Sequence, residues 1–152
     1  MGTSESKPPA SLPVPVGKVR ICMAGLKLSH HTGRAREIAV RLAALRPDLF
    51  ETWFYYDSSS NFYSFLGAKF ETVAFPPHLK GHDSSPFVWL ETAPNVVEPI
   101  GGRSHFCEWL LKNHSGIVEA AGGDFKRLVS TGPSLTEAFH NKDEWRMTAA
   151  VA

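Results

Sequence analysis

The spacing of apolar and polar positions changes several times along the chain, and each change marks an element. Residues 18–24 alternate before turning wholly apolar, as a strand does on entering a core, and Gly25 is expected to end it. Over 32–46, Ala35, Ile38, Ala39, Leu42 and Leu45 recur at helical spacing with arginines opposite. This predicts a helix with Thr32 as N-cap and Pro47 as stop. The aromatic run FETWFYY at 50–56 reads as a second strand, and 58–70, opened by serines, as a shorter helix with Phe62, Phe65 and Leu66 on one face.

The second half is punctuated by proline and glycine. Residues 71–84 carry Pro76, Pro77, Gly81 and Asp83 and read as loop. Pro86 opens a strand over 85–91, where a missing N–H does least harm. A turn at 93–95 leads to a short strand at 96–100, then Gly101 and Gly102, then a helix over 103–112 with Phe106, Trp109 and Leu110 inward. Residues 1–17, with Pro8, Pro9, Pro13 and Pro15, read as an extended or disordered arm. Residues 114–152, broken by Gly116, Gly122, Gly123 and Gly132, read as an extension ordered by a partner, with one helical hint at 134–146.

Composition narrows the function classes. The chain has 152 residues, 43% of them hydrophobic, enough for one core. A net charge of +1 without a basic run argues against nucleic acid as partner. No stretch approaches the roughly 18 apolar residues a membrane helix needs, and the first residues lack a signal-peptide core. Met1, Gly2 and Ser6 superficially fit an acylation pattern, but Lys7 and the prolines after it read as an ordinary start. A cytoplasmic protein with no membrane contact is expected. Only Cys22 and Cys107 occur, too few for a disulfide framework or a cysteine-rich zinc module.

The order β-α-β-α-β-β-α, with Pro86 before the third strand and Gly101-Gly102 before the last helix, is what a thioredoxin-like single domain requires. Residues 18–113 resemble glutaredoxin-like domains, most closely those linked to the malate dehydrogenase paralogue malate dehydrogenase 1B. The resemblance is carried by Ile21 to Gly25, by Leu45 to Asp48, by Ser85 to Trp89, and by Ile100 to Gly102 before Phe106. The long interval from Pro86 to Gly101 fits the dehydrogenase-linked subgroup. The resemblance implies that Pro86 is cis and turned toward the first helix. Aligned on Ala24 and Gly25, the redox motif falls on Ser29, His30, His31 and Thr32, so a hydroxyl stands where the attacking sulfur would be. Thiol exchange needs a thiolate, which serine cannot provide. The dehydrogenase portion is absent too, since no Gly-x-Gly-x-x-Gly follows a strand.

The candidate site is therefore a degenerate one, comprising Ser29, His30, His31, Thr32, Pro86, Gly101 and Gly102, with no catalytic residue, metal or cofactor expected. His30, His31, His78, His82 and His105 could hold a metal, but no pairing on one helix supports this, and solvated loop residues are the simpler reading. Ser29 beside His30 lacks an orienting carboxylate for nucleophilic catalysis. Cys22 and Cys107 read as packing residues. Arg34 and Arg36 either grip a glutathione carboxylate or lie on a solvated helix face. The aromatics at 53–56 either face a partner or are covered by helices on both sides. Trp53, Tyr55, Phe139 and Trp145 are the candidates for partner contact.

The expected function is thus a non-enzymatic interaction protein. The dehydrogenase-linked subgroup is associated with ciliated and sperm cells, so the resemblance implies a ciliary or flagellar axoneme, on the inner wall of doublet microtubules, with tubulin and neighbouring axonemal proteins as partners. One alternative is a transferase-like domain in which Ser29 donates a hydrogen bond to the glutathione thiolate. A third reading, an adaptor for proline-motif readers at 8–16, lacks a flanking basic anchor.

Overall fold

Strand parity decides this architecture. The computed structural model describes residues 8, 10, 12–26, 29–71 and 85–133. Among them the elements run β1 (Val19–Leu26), α1 (His30–Leu45), β2 (Phe50–Asp57), α2 (Ser59–Lys69), β3 (Phe87–Thr92), β4 (Val96–Gly101), α3 (Arg103–Asn113), α4 (Ser115–Ala121) and α5 (Gly123–Ser130). The strands form one mixed sheet in the order β2-β1-β3-β4. β1 pairs with β2 in parallel and with β3 antiparallel, and β3 pairs with β4 antiparallel. The protein is a single α/β domain.

Successive side chains on a strand point to opposite faces, so the sheet sorts its residues into two cores. Ile21, Met23, Phe50, Phe54, Tyr56, Val88 and Leu90 share one core with α1, α3, α4 and α5. Cys22, Ala24, Trp53, Tyr55, Phe87 and Trp89 share the other with Phe62 and Phe70, and Phe65 and Leu66 of α2 pack against it. The aromatic density of β2 is thereby explained, because both of its faces are covered. Trp53 and Tyr55 are only 6% and 2% exposed, so the expectation that they meet a partner is corrected: they pack against Phe65 of α2, with ring centroids 5.9 and 4.9 Å away. Phe139 and Trp145 lie outside the described residues.

Several boundaries differ from the sequence expectation, and β3 starts at Phe87, after Pro86, and runs to Thr92. β1 runs through Gly25 to Leu26, since Gly25 is buried and paired with Tyr56. α1 begins two residues before Thr32, because Ser29 is the N-cap and its Oγ accepts from the Thr32 N–H at 3.2 Å. The chain also continues past 113 as α4 and α5, which place Val118, Phe125 and Val129 in the core. Gly122, at φ 101°, forms the joint between them in a conformation that favours glycine.

Candidate functional site

Three segments meet at the C-terminal end of β1. The first is the opening turn of α1. The second is the Ser85-Pro86 peptide, which is cis, as the resemblance implies. The third is Gly101-Gly102 at the start of α3, where Gly101 has φ 125° and the Gly102 N–H donates to His105 Nδ1 at 3.1 Å. Gly102 caps α3.

Hydroxyls tie these segments together. Ser85 Oγ accepts from the Leu26 N–H at 2.9 Å and shares a 2.6 Å hydrogen bond with Thr32 Oγ1. Thr32 is fully buried, and its side chain lies against Gly25. A Cβ added at Gly25 would stand 2.6 Å from Thr32 Oγ1, 2.8 Å from Thr32 Cγ2 and 3.0 Å from Ser85 Oγ. Between α1 and the cis peptide, the Thr32 and Ser85 side chains thus pack directly against Gly25. His31 joins the third segment, with its Nδ1 accepting from Arg103 Nε at 3.0 Å. That bond requires a neutral imidazole, and partial burial, then His30, then Arg103 all lower the His31 pKa below the ordinary histidine value.

Neither cysteine stands in the opening turn of α1. Cys22 belongs to the core under α2, and burial, reinforced by Glu91, pushes its thiol well above the usual value. Cys107 is on α3 in the other core, and burial raises it despite the opposing Arg103 and Arg34. Both thiols are thus held protonated, the form that does not attack. Ser29 Oγ accepts a helix N–H, and among the described residues no hydrogen bond joins it to His30 or to a carboxylate. Among the described residues, no group of three or more His, Cys, Asp or Glu is placed to hold a metal ion.

Arg34 and Arg36 follow neither course expected for them. Arg34 is 7% exposed and donates from its Nη1 to the Leu128 and Thr131 carbonyls at 3.0 and 2.8 Å, and to Thr131 Oγ1 at 3.1 Å. It caps the C-terminus of α5, where a positive charge meets the negative end of the helix. Arg36 is half-buried, with its guanidinium 5.6 Å from the centre of the Phe54 ring. Sequence reasoning missed Ser85, Arg103 and Gly25 as members of the junction. Ser85 was visible as the residue before Pro86, but its bond to Thr32 spans 53 residues and leaves no local trace.

A second concavity, of about 310 Å³, lies near the start of β1, about 20 Å along the strand from the junction. Leu12 and Val14 of the arm and Val96 of β4 form its walls, over a floor of Arg20, Lys69 and Glu91. Arg20 is buried and paired with Glu51 at 2.7 Å, with Glu91 at 3.6 Å on its other side. Glu91 also accepts from Trp89 Nε1 at 2.8 Å and meets Lys69 at 3.1 Å. Burial acts to raise the Glu91 pKa, but these partners outweigh it and hold the carboxyl below its ordinary value. The floor is charge-balanced within the protein.

No family model, curated protein or solved structure matches the chain. None of the helices among the described residues is long and apolar enough to cross a membrane.

Proposed function

We propose that the chain is a thioredoxin-like domain of the glutaredoxin-like kind that has lost thiol chemistry and acts as a non-enzymatic interaction module. Support for the fold reading comes from the strand order β2-β1-β3-β4, the helix α2 alone against one face, and the cis Ser85-Pro86 peptide beside the α1 N-terminus. The function reading is carried by one observation. Where a redox domain keeps a thiolate at the start of the first helix, this chain has the Ser29 cap, with a Thr32–Ser85 hydroxyl bond packed against Gly25 behind it. A hydroxyl at the Ser29 position cannot form a mixed disulfide.

The assembly we assign it to is the axoneme of cilia and flagella, with tubulin and its neighbours as partners, on the resemblance to the dehydrogenase-linked subgroup alone. Two experiments test the reading. Calorimetric titration with glutathione is expected to give no heat at millimolar ligand, and micromolar binding would favour a transferase-like domain instead. A tagged chain in ciliated cells is expected to stay with the axoneme through detergent and high-salt extraction, and complete release would overturn that assignment.

A further inference from the structure

We propose that the Ser130-Thr131 pair at the end of α5 is a phosphorylation site for a kinase that reads basic residues, and that phosphate there unclasps α5 from α1. The sequence around it is Lys126-Arg127-Leu128-Val129-Ser130-Thr131. Two cations thus stand three and four positions before Ser130, where a kinase with an acidic substrate groove can pair with them. Ser130, Thr131, Lys126 and Arg127 are all exposed. Gly132 and Pro133 follow, so the helix ends at the acceptor and its last turn is the part most readily drawn into an extended strand.

The consequence follows from what the pair now does. Thr131 Oγ1 donates to the Arg127 carbonyl at 2.8 Å and accepts from Arg34 Nη1 at 3.1 Å, while the same nitrogen holds the Leu128 and Thr131 carbonyls. In the transfer, the serine or threonine oxygen bonds to the γ-phosphorus of ATP. The bond from that phosphorus to the β–γ bridging oxygen breaks, the hydroxyl proton passes to the kinase base, and ADP leaves. On Thr131 this abolishes the donor to Arg127. On either residue it sets a dianion against the negative end of α5. Arg34, the cation already at Thr131, is committed to the helix carbonyls, so its pairing with phosphate means releasing them.

The test uses the full chain, magnesium ATP and the catalytic subunit of cyclic-AMP-dependent protein kinase, with sites mapped by mass spectrometry. Phosphate is expected on Ser130 or Thr131, and the exposed Arg127→Ala change is expected to slow its incorporation about tenfold or more. Amide hydrogen exchange over 124–131, compared in the same unsubstituted chain before and after modification, is expected to accelerate about tenfold or more. No phosphate at either residue, while a standard substrate peptide is turned over, would overturn the proposal. So would full modification with unchanged exchange in α5.

Discussion

Gly25, Thr32 and Ser85 crowd one another so closely that the smallest enlargement has nowhere to go. Gly25→Ala puts a methyl within 2.6 Å of a buried threonine oxygen, and chemical denaturation is expected to show a loss of about 1–3 kcal/mol. Two histidines make the fold's stability depend on pH. His31, lowered by burial, His30 and Arg103, and His114, lowered by burial between Phe50 and Trp109, take up protons in the folded chain only below the value near 6.5 that they have when unfolded. The unfolded chain therefore binds more protons in that window. Stability is fully present above pH 6.5 and falls as pH drops through it toward the folded values. Thermal melts at pH 5.5 are expected to lie below those at pH 7.5, with His114→Phe reducing the difference. For this junction the resemblance names Ser29, His30, His31 and Thr32, and proline and glycine mark Pro86, Gly101 and Gly102 as local signals. Ser85, Gly25 and Arg103 act through contacts between segments far apart in sequence, which periodicity does not carry.

The seven elements through α3 each have a counterpart in the sequence reading, and the error at the start of α1 is one of capping. Ser29 and Thr32 are both good N-caps by residue type, and only the hydrogen bond from the Thr32 N–H to Ser29 Oγ decides between them. α4 and α5 were missed for a different reason. At seven and eight residues they are shorter than an isolated helix needs, about 12 or more, and glycines interrupt their pattern. They exist because Val118, Phe125 and Val129 are buried in the core beside α1 and α3 and because Arg34 caps α5. Arg34→Met keeps much of the packing and removes the cap. It is expected to cost about 1.5–3 kcal/mol and to raise exchange in α5 more than in β1. Phe125→Ala, which empties a core position 4% exposed, is expected to cost about 3–4 kcal/mol in the same denaturation assay.

For the molecule as a whole, the sheet's two covered faces turn what looked like a sticky aromatic surface into a second core, and put both thiols out of reach. The α/β class and the strand sequence could be read from period and punctuation. The burial of Trp53 and Tyr55 could not, since an aromatic run reads alike whether a helix or a partner covers it. Both cysteines are buried packing residues, and neither stands where a redox thiol would. Mass-resolved alkylation with iodoacetamide at pH 7.5 tests this most directly, comparing the folded chain, the chain in denaturant and a folded Ser29→Cys variant. Cys22 and Cys107 are expected to react only in denaturant, and the thiol at position 29, at a helix N-terminus, to react while the variant is folded. Alkylation of Cys22 or Cys107 in the folded chain at the rate of a free thiol would contradict the account.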